Sequence, residues 1–192
     1  FRLSMRLLDW CTANGVPFIY ASSAATYGDG QQGFVDDPSL GALKKLRPMN
    51  LYGWSKSLFD LALAERVAKK AKLPPQWAGL KFFNVFGPNE YHKGAMMSVL
   101  AKRFDDIQSG RKVQLFKSHR ERIADGAQRR DFIYVDDVVR VMMWLLATPS
   151  VSGLFNVGTG KARSFRDLML SAYAALGATP NIEYIDMPQS IR

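Results

Sequence analysis

The chain has 192 residues, of which 47% are apolar, 12% aromatic and 22% charged, and its formal net charge is +9. Such a length suits one domain or a little more with a real core, such a composition belongs to a soluble globular protein, and no apolar run nears the about 18 residues of a membrane span. The basic excess raises a nucleic-acid reading, but it sits in Lys44-Lys45, in Lys69–Lys72 and between Arg111 and Arg130, where solvated helix faces and a site for a small anion account for it, so no nucleic-acid partner and no membrane partner are expected.

Residues 2–13 read as an amphipathic helix that stops near Asn14-Gly15. It begins in mid-pattern, without an initiator Met or a signal-peptide pattern, so the chain is expected to be a piece of a longer protein. Residues 16–21 are a short apolar run, the mark of a buried strand. A polar loop punctuated by Gly and Pro covers 28–49, and a long helix covers 50–70, stopped by Pro74-Pro75. Residues 77–83 form the next buried strand, followed by a loop over 84–94 and a helix over 95–109 that halts at Ser109-Gly110. A short strand over 112–116 leads into a charged loop, 117–129. Residues 131–135 form a strand, with Asp136 placed to cap a helix over 137–147. Strands over 153–157 and 181–185 flank a helix over 165–176 that Ser164 is placed to cap. Strands alternating with helices of this length indicate βαβ units and a parallel sheet, on which ligands bind beyond the carboxyl ends of the strands. Polar residues do follow the strands there, Ser22-Ser23 after one and Asn84 after the next.

Tyr52 and Lys56 are four apart on a helix and so share a face. An ammonium beside a phenol favours the phenolate, and a phenol tuned in this way can take the proton of an alcohol while hydride leaves its carbon. A hydroxyl from Ser22-Ser23, at the end of a neighbouring strand, can polarise the same oxygen. Cys11 is the sole cysteine, so neither a disulfide nor a cysteine metal site forms within the chain, and a reducing cytoplasm fits. His92 and His119 lack partners at metal-ligand spacing, so no metal is expected.

Five segments occur in one order: Ala21–Gly28, Tyr52 with Lys56, Phe83–Pro88, Arg130–Asp137 and Phe155–Gly160. Together they resemble the extended short-chain dehydrogenase/reductase family, which includes the NAD-dependent epimerases and dehydratases. The resemblance implies an α/β fold, a Rossmann-like doubly wound parallel sheet of which this chain holds the C-terminal portion, with a smaller substrate-binding subdomain. On that pattern, residues 1–90 are a partial cofactor and catalytic domain, and 91–192 are a substrate-binding subdomain with elements returning to the first. The family's roles carry over to Ser23 as a catalytic and substrate-contacting hydroxyl, Tyr52 as acid/base, and Lys56 as the holder of the nicotinamide ribose. Asn84 is implied to contact substrate, Val85 to lie beside the nicotinamide, and Arg130 to bind the nucleotide diphosphate, a task suited to a guanidinium.

The loop Asn84–Gly94, with His92-Lys93-Gly94, resembles that of the heptose 6-epimerases within this family. The resemblance makes Lys93 a second catalytic group that also touches the cofactor. It implies inversion at C6 of ADP-glycero-manno-heptose by transient oxidation with bound NADP, or NAD, in the synthesis of lipopolysaccharide core precursors. A cytoplasmic homo-oligomer is implied as well. Further substrate contacts fall on Ala95 and Lys102, where the family has Ser and His, and on Phe116, Lys117, Ser118 and His119 in its nucleotide-contacting loop. The Gly-rich turn that grips a dinucleotide pyrophosphate is absent from these residues and is expected upstream, so the piece alone is expected to have little activity. Competing readings are a UDP-sugar 4-epimerase, a dTDP- or GDP-sugar dehydratase, and a non-catalytic NADP-binding protein. Dehydratases place an acidic pair after the Thr that stands at the Ser23 position, where this chain has Ala24-Ala25.

Overall fold

The computed structural model describes residues 1–188. They form two units, the first made of Phe1–Phe83 and Asp137–Val157, the second of Asn84–Asp136 and the chain from Gly158 on.

In the first unit, Met5, Leu8 and Cys11 recur at helical spacing and lie on one face of α1 (Arg2–Asn14). Leu8 and Cys11 pack against Phe18 of β1 (Phe18–Ser23) and against Phe59 and Leu63 of α3 (Leu51–Ala68), which follows the short helix α2 (Leu40–Leu43). Each large apolar side chain sealed there stabilises the unit by roughly 1.5–3 kcal/mol. β1 starts and ends two residues later than the apolar run suggests. Pro17 has no N–H to give a ladder, whereas Ser22 and Ser23 pair with Lys81 and Phe82 of β2 (Trp77–Phe82). The sheet order is β1-β2-β6, with β6 spanning Gly153–Val157, and both pairings are parallel. The Gln76 side chain, before β2, donates to the carbonyls of Leu145 and Thr148 at 2.8 and 3.1 Å. These carbonyls, at the end of α5 (Val135–Ala147), also accept the N–H groups of Thr148 and Val151, so Gln76 occupies their second lone pairs.

A buried charged network joins these elements. Lys81 of β2 and Asp60 of α3 form an ion pair at 3.2 Å with side chains 1% and 2% exposed. Tyr20 and Ser22 of β1 donate to the two Asp60 oxygens at 2.9 and 2.6 Å. The Lys81 ammonium donates to Thr26 Oγ1 at 2.6 Å and lies 4.6 Å from the centre of the Tyr27 ring. Burial pushes Lys81 below its ordinary pKa, against the opposing pull of Asp60. Burial pushes the Tyr20 phenol up, and the Asp60 charge pushes it the same way.

In the second unit, β3 (Asn84–Phe86) pairs parallel with β5 (Arg129–Tyr134), and β7 (Ala162–Ser164) pairs antiparallel with β5. A separate parallel pair joins β4 (Val113–Phe116) to β8 (Ile182–Ile185). Ile107 of α4 (Val99–Gln108), Val113, Leu115, and Met169 and Tyr173 of α6 (Phe165–Ala175) form its core. Ser164 caps α6 in a reciprocal box with Asp167, as the sequence predicts.

Other expectations change here. α2 and β3 lie in predicted loops, and β7 in a stretch given no element; all three are too short to show a periodic pattern. α4 begins at Val99 rather than at 95, because Ser98 accepts from the Ala101 N–H as its cap and Gly94 breaks the helical backbone before it. Asp136 is not a cap: β5 runs straight into α5 at Val135, which leaves Asp136 inside the first turn. Among the described residues, no helix is long and apolar enough to cross a membrane.

Stranding one charge of a buried pair costs about 3–5 kcal/mol. Asp60→Asn and Lys81→Met should each lose about that much in urea unfolding, and the double variant should lose less than the sum. Losses under about 1 kcal/mol, or strict additivity, would show that the pair is not what joins the sheet to α3.

Candidate active site

In the first unit the site is built on the end of β1. Ser23 is extended, and its Oγ accepts from the Ala25 N–H at 3.1 Å, starting a 3-10 turn over Ala24–Tyr27. Thr26 Oγ1 donates to the Ser23 carbonyl at 2.8 Å, fixing the turn from its far side. Gly28 closes the turn with φ 64°, and a Cβ there would run into the Arg47 carbonyl. Asn50 caps α3 by accepting from the Gly53 N–H at 2.8 Å. Gly53 is equally constrained: a Cβ there would lie 2.8 Å from the Ala25 carbonyl oxygen. The lack of a side chain at Gly53 therefore lets the first turn of α3, with Tyr52 in it, close onto the turn after Ser23. Tyr52 is 56% exposed. Lys56, one turn on, has its ammonium 5.8 Å from the Tyr52 ring centre and donates to the Ala21 carbonyl at 2.8 Å. The unit thus holds a phenol open to solvent, an ammonium on its face and a strand-end serine, which can meet the oxygen of a bound alcohol.

In the second unit, Asn84 and Val85 lie on β3, opposite Phe132 and Ile133. Asn84 is exposed and Val85 half-buried. The loop after β3 is organised by Glu90, 5% exposed. Its Oε1 accepts from the Gly87 N–H at 3.2 Å and from Ser98 Oγ at 2.7 Å. Its Oε2 accepts from the Ser98 N–H at 2.9 Å and from the Lys93 ammonium at 3.3 Å. Burial opposes ionisation of Glu90, but these bonds outweigh it and hold the carboxyl below its ordinary pKa. The Lys93 side chain is 42% exposed. Lys102 donates to the Ala95 carbonyl at 2.6 Å, so these two residues, which depart from the resembled pattern, contact each other.

Phe116 ends β4. Lys117 pairs with Asp186 at 3.2 Å, the Ser118 N–H donates to Asp125 at 2.7 Å, and His119 is exposed in the loop beyond. Arg130 is exposed on β5, directly opposite Arg163 of β7. An apolar cavity of about 290 Å³ is walled on one side by the Glu90 loop, Glu90 included, and on the other by Leu100, Phe104 and Tyr134. None of the sequence-predicted substrate residues lines it. Asp60, Lys81, Glu90 and Arg163 were missed from sequence. None of the four had a sequence signal; the pairing of Arg163 with Arg130 exists only in the folded register of β5 and β7.

The family model for the NAD dependent epimerase/dehydratase family matches residues 1–158. The chain is 51% identical over 191 residues to an ADP-L-glycero-D-manno-heptose-6-epimerase of Nitratidesulfovibrio vulgaris (strain DP4), covering 100% of this chain and 57% of that protein. The chain thus spans little more than half the length of that relative. Among solved structures it is similar to the ADP-L-glycero-D-manno-heptose-6-epimerase of Helicobacter pylori, with 27% identity and a TM-score of 0.74 over 97% of this chain and 54% of that one. It is also similar to the UDP-glucose 4-epimerase of Thermus thermophilus in complex with NAD, with 26% identity and a TM-score of 0.68 over 94% and 55%.

The Glu90 loop has a pH signature. A carboxyl that ionises more readily folded than unfolded stabilises the fold above its ordinary value of 4.5, and that stabilisation is lost as pH falls through the lower folded value. Urea unfolding of wild type and Glu90→Gln should therefore show a stability gap at neutral pH that narrows below 4.5. A gap independent of pH would contradict the network.

Proposed function

The chain belongs to the NAD dependent epimerase/dehydratase family, and from that premise we propose that it carries the acid/base residues of an epimerase that inverts C6 of ADP-glycero-manno-heptose, with NADP as cofactor. The observation that carries this reading is the presence of two separate amine-bearing stations. Lys56 is held at the end of β1 beside Tyr52, and Lys93 is exposed on a carboxylate-anchored loop. Inversion through a ketone moves hydride off one face of the carbon and back onto the other, and two acid/base groups on opposite sides would let each face be served separately. Tyr52 is assigned one and Lys93 the other. Dehydration would ask instead for an acid beside Ser23, where Ala24 and Ala25 stand. The identity to a heptose epimerase, 51%, supports the sugar.

Lys56, Val85 and Lys93 would hold the nicotinamide end of the cofactor. The fit rests on Lys56, whose ammonium the Ala21 carbonyl fixes at the strand end with donors left for ribose hydroxyls. When bound, the dinucleotide accepts and returns hydride. The chain's own residues do the rest. Ser23 donates to the sugar oxygen, Tyr52 and Lys93 take or return its proton, and Asn84 orients the sugar. Arg130 and the strip Phe116, Lys117, Ser118 and His119 meet the ADP moiety, the guanidinium pairing with phosphate oxygens. Ala95 and Lys102 complete the substrate contacts. A cytoplasmic homo-oligomer is the proposed setting, with the catalytic and cofactor domain centred on 1–90 and the substrate-binding subdomain on 91–192.

In protein of full family length, Tyr52→Phe and Lys93→Met should each lower the rate of C6 inversion by about a hundredfold to ten-thousandfold. The check is chromatographic resolution of the two C6 epimers of the ADP-heptose, with NADP and with NAD. Turnover of a UDP-hexose with no conversion of the heptose would replace this reading with a 4-epimerase.

A further inference from the structure

We infer that Glu90 is a positioning residue for Lys93. It presents the Lys93 ammonium to substrate while itself touching none. The inference rests on the reading of Lys93 as an acid/base group.

A lysine on a loop ordinarily samples many rotamers, and ordering it costs roughly 1.5–2 kcal/mol of side-chain entropy. Around Lys93 the structure supplies a fixed counter-charge. Three of the four donors to Glu90 are the Gly87 N–H, near the loop's start, and the N–H and Oγ of Ser98, which caps α4. These hold the carboxylate rigidly from both ends of the loop. The fourth donor, Lys93, is the one borne on a long flexible side chain. The Lys93 N–H also donates to the Glu90 carbonyl at 2.9 Å, so backbone and side chain are tied to the same residue. Among the described residues, Glu90 is the one carboxylate paired with Lys93. An ammonium has three donors. One meets a nearly buried carboxylate, and the others remain on a side chain 42% exposed. This is a directed amine, with its proton available at one face of a sugar oxygen.

The test uses protein of full family length with bound cofactor, supplied separately with each C6 epimer of ADP-glycero-manno-heptose in single turnover. The readout is the transient near-ultraviolet absorbance of reduced nicotinamide. If Tyr52 serves one epimer and Lys93 the other, Lys93→Met slows the transient from one epimer only. Glu90→Gln, nearly isosteric and still able to accept from Ser98 Oγ, should slow the same transient by about tenfold to a hundredfold and leave the other within about twofold. Glu90→Asp keeps the charge but withdraws it by one methylene, and it should show the same one-sided defect even if Glu90→Gln fails to fold. A Glu90 variant that folds and slows both transients equally, or neither, beside a one-sided Lys93→Met, overturns the positioning role and leaves the Lys93 reading intact. A Lys93→Met variant with no one-sided defect overturns that reading, and this inference with it.

Discussion

The ion pair between Asp60 and Lys81 is the constraint on which the first unit turns. Removing two charges from water costs several kcal/mol per ion and is tolerated only where every remaining lone pair and proton finds a partner. Here the partners come from all sides: Tyr20 and Ser22 on Asp60, Thr26 and the face of Tyr27 on Lys81. They belong to β1, to the turn after it, to β2 and to α3, so the pair is satisfied only when those four pieces are in register. Ser23 stands between Ser22 and the turn whose Thr26 grips its carbonyl. Tyr52 and Lys56 ride on the same helix as Asp60. An interior interaction thus sets the placement of the buried Ser23, the half-buried Lys56 and the exposed Tyr52, and Lys56 adds a second tie from helix to strand through Ala21.

The second unit uses a related device for a different end. Glu90 is also a nearly buried carboxylate with every oxygen occupied, but its cation is a half-exposed side chain rather than a sealed one. The Asp60 charge serves rigidity, and part of the Glu90 charge serves to aim a mobile group. The contrast follows from burial alone. A pair at 1% and 2% exposure cannot meet a ligand, whereas one with a 42% exposed member can. Arg130 and Arg163 face each other on a sheet surface, both exposed.

Much of the fold was legible because its long elements carry periodic patterns and local stop signals. α1, α3, α6 and the strands β2, β4, β6 and β8 announce themselves in this way, and Ser164 marks its helix outright. What escaped was short or non-local. β3 and β7 are three-residue strands whose pairing with β5 supplies all their identity. The start of α4 was obscured because Ala95 and Met96 suit a helix, while Gly94 and the Ser98 cap decide otherwise. Of the candidate site residues, Tyr52 and Lys56 could be nominated because helical spacing is written in the sequence, and Ser23 because it stands at the end of a strand. Lys81 was not, since a lysine within an apolar strand finds its partner on a distant helix. Glu90 was not, since a loop glutamate ordinarily faces water, and only the folded loop turns it inward.

The central claim is that the residues held by these two networks serve inversion by removal and return of the hydrogen on one carbon, with Tyr52 and Lys93 handling the oxygen-borne proton alone. The most direct measurement follows deuterium placed at C6 of the ADP-heptose through conversion in ordinary water by protein of full family length. The account predicts that the inverted product keeps its deuterium at C6. Loss of the label to solvent would mean that the carbon itself is deprotonated, and would contradict the roles assigned to Tyr52 and Lys93.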